Sequence, residues 1–223
     1  MRFDGFGADA FRVLQAIEFH QSREWFAENR PLYERQLREP LLAFCEEGAV
    51  VARDRGLDMV FDPRRGPFRI NRDVRFSKDK RPYNTHVSAV LSADGTKAAY
   101  GVLYVHVGLE RCFLAAGYWA LPPALLESFR RRVVDHSRAY GDLLGKLSEG
   151  GLTFDREDSL KRMPRGHAAP DDPAIADALR LRGFTVSRDI ARKSVLSRDL
   201  VDRFARFCED VRPLFAWGSE IVT

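Results

Sequence analysis

The chain has 223 residues, 45% of them apolar and 30% charged, with a formal net charge of +4. That length and apolar content allow a buried core without metals or disulfides. A charge of +4 favours anionic partners but is far too small to demand nucleic acid.

The N-terminal "MRFDGFGADAF" carries Asp4 and Asp9 and lacks the apolar run of a secretory signal. No stretch reaches the roughly 18 apolar residues of a membrane span. Cys45, Cys112 and Cys208 lie far apart in apolar surroundings, with no C-x-x-C. They are expected to be reduced, buried thiols, and the protein is expected in the cytoplasm.

The first third reads as helical, over 8–55. Ala10, Phe11, Leu14 and Ile17 recur at helical spacing. Ser22 is placed to cap a second helix carrying Trp25 and Phe26. Pro31 and Pro40 suit the first turns of two further helices, and Gly56 closes the region. The period then changes. "THVSAVLS", "YGVLYVHVGL" and "RCFLAAGYW", within a strand-rich region 67–118, read as antiparallel strands. In the second, Leu103, Val105, Val107 and Leu109 share an apolar face, with Tyr100, Tyr104 and His106 opposite. In the first, Val87, Ala89 and Leu91 oppose His86 and Ser88. From 122 to 222 helices return. Pro122–Pro123 and Pro173 open two of them, and Gly150–Gly151 close another. Ser197 is expected to cap the last, and "LTFD" and "GFTVSRDI" are expected strands. The whole of 1–223 is expected to be one α+β domain, its antiparallel central sheet flanked by N-terminal and C-terminal helices.

The most informative stretch is "FRINRDVRFSKDKRPY", Phe68 to Tyr83. From Arg69 to Arg81 it holds six cations (Arg69, Arg72, Arg75, Lys78, Lys80, Arg81) against Asp73 and Asp79. It is too long for one ordinary strand, and a bend near Asn71–Asp73 would gather several guanidinium groups. Two like charges about 6 Å apart repel by nearly 3 kcal/mol at an effective dielectric of about 20. A gathered cluster therefore needs anions. Two accounts compete. Each aspartate could hold two arginines in a structural network, or a bound phosphate or carboxylate could supply the missing charge. A second basic patch, "LKRMPRG", carries Lys161 and Arg165 on an expected loop. "FRRRVV", Arg130 to Arg132, reads as the wet side of a helix.

"GFGADA" matches a loose dinucleotide pattern, but only four residues precede it and no strand can, so that site is rejected. The five histidines show no metal-ligand spacing; a shared sheet face for His86 and His106 is the one metal-like hint. No cofactor is expected.

"FRINRDVRFSKDKRPYNTH" closely resembles the signature of domain of unknown function family 2461, a conserved hypothetical protein family. "REWFAENRPLYE", "AAGYWALPPALLESFR" and "LKRMPRGH" fit the same family, so the resemblance spans nearly the whole chain. It implies the α+β architecture and adds weight to the central stretch, and it supplies no catalytic residue.

The residues are read as an anion-binding cleft lined by Arg69, Arg72, Arg75, Lys78 and Lys80. Asp73 would orient the arginines and Tyr83 would cap one side. Lys161 and Arg165 would close the cleft from the second patch. A phosphate-bearing small molecule is the first choice of ligand. The alternatives are an enzyme on a phosphate ester, with Asp73 or His86 as acid or base, and a non-catalytic nucleic-acid or protein interaction module, with weak nucleic-acid binding at most.

Overall fold

Helix α1, Ala10–His20, buries Ala10, Val13, Leu14 and Ile17, while Phe11 stays half-buried at the edge of that face. The structure is a computed structural model that describes residues 2–222. Gln21 ends α1 in the left-handed region, at φ 41°. Ser22 then caps α2, Arg23–Tyr33, by accepting the Trp25 N–H.

The two early prolines do not both start helices. Pro31 lies inside α2, and the chain continues through a π-helical turn, Glu34–Arg38, into α3, Glu39–Asp54. Pro40, at the first turn of α3, accounts for the wide turn. It has no N–H for the carbonyl four residues back, and the preceding Glu39 N–H reaches Glu34 O, five back. Gly56, at φ 78°, ends the helical run as expected.

Four strands form one antiparallel sheet in chain order: β1, His86–Ser92; β2, Val102–Gly108; β3, Cys112–Tyr118; and β4, Phe184–Asp189. The fold is α+β. Register pairs Ala89 with Val105 and Val105 with Leu114. Val87, Leu91, Leu103, Val107, Ala116 and Val186 share that buried face, against which α3 and the last helix, α8 (Asp199–Val222), pack. The opposite face carries His86, Ser88, Tyr104, His106, Phe113 and Ser187, and no helix covers it as α3 and α8 cover the first. One connected set of buried apolar side chains runs from Phe3 to Trp217. Among the described residues no helix is long and apolar enough to cross a membrane.

Helices α4 (Pro123–Asp135), α5 (Ser137–Glu149) and α6 (Pro173–Arg180) complete the second half. Three expectations change here. "LTFD" forms only a single bridge, Phe154 to Val186. The Asp155 N–H adds one backbone bond, to Thr185 O at 2.8 Å, and the Thr185 and Ser187 hydroxyls donate to the Asp155 carboxylate at 2.9 Å each, so the contact with β4 stops short of a strand. Ser197 does not cap α8. Its hydroxyl donates back to the Lys193 and Ser194 carbonyls of a one-turn helix, α7 (Arg192–Val195). Arg130 is not on a wet face. It is buried and donates to Leu179 O at 2.9 Å and Leu181 O at 3.3 Å, tying α4 to the end of α6. All three cysteines are free and buried, and burial raises each thiol's pKa.

Candidate anion-binding cleft

The basic stretch is neither a strand nor a simple bend. Residues 60–72 lie irregularly along the outer edge of β1. Val60 bridges Ser92 and Pro67 bridges Ala89, and the Phe68 N–H reaches Ser88 O at 2.9 Å. This covers an edge whose N–H and C=O groups would otherwise be unpaired. The chain then closes on itself. Asn71 bridges Tyr83, Arg72 N–H reaches Pro82 O and Asn84 N–H reaches Ile70 O, both at 2.8 Å. Residues 73–81 are the loop of this hairpin. Its base is fixed by Gln21, whose side-chain amide both donates to Tyr83 O, at 3.1 Å, and accepts the Tyr83 N–H, at 3.0 Å. Tyr83 is buried and stacks on Phe26 at 4.4 Å.

Within the hairpin most charge is neutralised locally. Asp73 holds Arg75 by a bidentate pair of 2.9 and 2.7 Å. Asp79 holds two arginines, Arg72 and Arg81, each at 2.8 Å. Lys80 donates to Val74 O at 3.0 Å. These guanidinium groups keep both carboxyls below the usual range, and Asp79, with two partners, falls furthest.

The cleft lies beside the hairpin, over the uncovered face of the sheet. It encloses about 760 Å³, and its cations are Arg64, Arg69, Lys97 and Arg72. Arg72 is already bound to Asp79. Among the described residues no ion pair joins Arg64, Arg69 or Lys97 to a carboxylate. The Lys97 ammonium bonds only to carbonyls, those of Arg65 and Pro67, and sits 5.3 Å from the Phe68 ring centre. Burial, then Arg69 and Arg65, push its pKa down, and Asp62 offsets this only in part. Asn71 and Asn84 add amides to the lining. A second, smaller cleft of about 510 Å³ lies on the other side of the 67–71 segment and shares Arg64 and Arg69 with the first.

The floor is Ser88, with His86 and Tyr104 beside it. Cross-strand register places Ser88 opposite His106 and His86 opposite Gly108. The His86 and His106 rings stack at 4.3 Å, and His106 stacks on Phe113 at 4.7 Å. Gly108 makes the stack possible: a Cβ there would meet His106 Nε2 at 2.8 Å and His86 Cβ at 3.0 Å. The Tyr104 hydroxyl lies 3.0 Å from His106 Nδ1. Burial pushes His106 down to about 4, helped by His86 and Arg111, and burial alone lowers His86. Both imidazoles are therefore neutral at neutral pH. Burial also raises the Tyr104 phenol. Ser88 is 1% exposed, and its Oγ makes no hydrogen bond of standard geometry, although the Tyr104 hydroxyl is close enough to feel it.

The structure thus divides the expected site. Arg69, Arg72, Asp73 and His86 do line the cleft. Arg75, Lys78 and Lys80 do not; they sit on the hairpin loop. Tyr83 faces the smaller cleft from the core. Asp73 orients Arg75 alone, and the carboxylate that organises two arginines is Asp79. Lys161 and Arg165 line neither cleft. Their segment is tied to the far half of the molecule, through Leu160 N–H to Arg180 O and His167 to Glu127 on α4. Arg64, Lys97, Asn84, Ser88 and Tyr104 were not expected as ligands. Arg64 had a signal, two arginines in the turn-like "DPRRGP", and strand alternation had already put Tyr104 and Ser88 on the polar face. Lys97, in the "ADGTK" turn, had none. No group of three or more metal-ligating side chains occurs among the described residues, so the stacked histidines do not form part of such a group.

An α+β protein with a basic cleft at one edge of a half-covered antiparallel sheet is the class that fold and cleft define. The chain belongs to the conserved hypothetical protein family DUF2461, whose profile matches residues 9–217. Comparison with curated proteins finds no match.

Proposed function

We propose that the chain binds a small phosphate-bearing or other anionic ligand in the cleft lined by Arg64, Arg69 and Lys97. The observation that carries this is the missing counter-charge. The three cations share one polar cleft, among the described residues none of their side chains is paired with a carboxylate, and Asp73 and Asp79 are already spent on Arg72, Arg75 and Arg81. A phosphate would offset their repulsion and accept from both guanidinium forks. In a thermal-shift titration, inorganic phosphate and simple phosphate esters at millimolar concentration should raise the melting temperature. Arg69→Ala should remove the rise. No rise with any of them would contradict the proposal.

A second reading, hydrolysis of a phosphate ester, draws support from one residue. His86 lines the cleft and is neutral at neutral pH, as a general base must be. Asp73 suits that role poorly, because it is exposed and its pairing with Arg75 lowers its affinity for a proton. Release of nitrophenol from p-nitrophenyl phosphate, lost in His86→Gln, would favour this reading; no turnover would leave binding alone.

A further inference from the structure

The cleft is much larger than a phosphate needs, and its size falls in the range of small-molecule sites, about 300–1,000 Å³. Its far end is aromatic. His86 uses one ring face on His106, and among the described residues no other ring lies against it. Phe68 lines the cleft on the other side of Ser88, since its N–H bonds to Ser88 O, and it meets Tyr104 edge-on at 5.9 Å. Ser88 is therefore a short side chain among Phe68, His86, Tyr104 and His106. The result is a slot with flat apolar walls, and its base is a buried hydroxyl without a standard hydrogen bond.

We propose that the cleft takes a nucleotide, with its phosphate at Arg64, Arg69 and Lys97 and its planar base laid on the free face of His86. The inference rests on the anion-binding reading of the same cleft and names the ligand class. A base there would extend an existing stack, His86–His106–Phe113, which Arg111 closes at its other end, 4.5 Å from the Phe113 ring centre. The base edge would meet groups that can read it. Asn84 gives its amide N–H to Arg69 O, at 3.2 Å, and keeps its oxygen as an acceptor. Asn71 lines the same wall. Neutral imidazoles favour this arrangement, because stacking a base on them does not require desolvating a charge. A bare sugar phosphate would leave the slot filled only by water.

Isothermal titration calorimetry with adenosine monophosphate, ribose 5-phosphate and inorganic phosphate tests this. The nucleotide should bind about tenfold more tightly than ribose 5-phosphate, the lower part of what base–aromatic stacking supplies. His86→Ala should reduce the nucleotide to the ribose 5-phosphate level and leave ribose 5-phosphate within about twofold. His86→Phe keeps a flat ring and should retain the preference, which guards against a general loss of folding in the alanine variant. Equal affinities for nucleotide and ribose 5-phosphate in the unaltered protein would overturn the nucleotide assignment and leave the anion cleft standing. Binding of none of the three would overturn both.

Discussion

At the hairpin loop, Asp73 and Asp79 hold Arg72, Arg75 and Arg81 within 2.8 Å, while Lys80 caps backbone carbonyls. At the cleft rim, Arg64, Arg69 and Lys97 line one concavity, and among the described residues no carboxylate forms an ion pair with their side chains. Both regions are rich in the same residue types, and they dispose of charge in opposite ways. The hairpin is dense in charge along the sequence and nearly self-sufficient in space. The rim is sparse in sequence, its cations supplied by a turn, an edge segment and a strand connection, and it is electrostatically incomplete. Density of charge in a sequence therefore does not locate an anion site. On the proposed reading, what locates it is the pairing left undone after folding.

The largest effect should come from the histidine stack beside the cleft floor, where burial acts on a titratable ring more strongly than on the exposed hairpin loop. In the fold, burial opposes protonation of His106; in the unfolded chain the imidazole titrates near 6.5. Between pH 6.5 and about 4 the unfolded chain binds more protons, so stability should fall as pH is lowered through that window. The loss should be about 2 kcal/mol, allowing for the ring's partial exposure. The slope should flatten in His106→Phe, and urea unfolding across that window measures both. A slope unchanged in the variant would place the titrating group elsewhere.

Lys97→Met should matter less for stability and more for the ligand. It removes hydrogen bonds to the Arg65 and Pro67 carbonyls and also relieves repulsion from Arg69 and Arg65. Stability should change by less than about 1 kcal/mol. Phosphate binding should weaken severalfold in the same titration. A large loss of stability with unchanged phosphate binding would make Lys97 a structural clamp instead.

The smallest effect should come from the hairpin. Asp79→Asn releases Arg72 and Arg81 from their shared carboxylate, both in positions that water reaches. Exposed ion pairs contribute little. The melting temperature should fall slightly, and phosphate affinity should not fall. A loss of phosphate binding would show that the hairpin positions the rim, and the contrast between the regions would blur.

Much of the fold was legible because its signals are local. Strict alternation in "VLYVHVG" set both faces of β2, and Ser22, Gly56 and Pro173 punctuated helices where expected. Errors arose where a residue has two uses. Pro40 suited a first turn and also widened the one before it, while Arg130 belonged to a basic run and also bonded two carbonyls on a distant element. The candidate site was half legible. Arg69, Arg72, Asp73 and His86 were anticipated, because the stretch containing them is unusual in itself. Lys97 and Arg64 were not, since only the edge pairing of residues 60–72 with β1 brings them to Arg69. Lys161 and Arg165 were placed there by charge alone, and His167 and Leu160 anchor their segment elsewhere.

The most direct test compares two arginines that differ in pairing and not in charge. Arg69→Ala and Arg75→Ala each remove one cation from the same stretch, and both side chains are exposed. Inorganic phosphate titrated calorimetrically into each should bind about tenfold more weakly to Arg69→Ala, about one charge-assisted hydrogen bond, and within about twofold of the unaltered protein to Arg75→Ala. Equal losses in the two variants, or a larger loss in Arg75→Ala, would contradict the account.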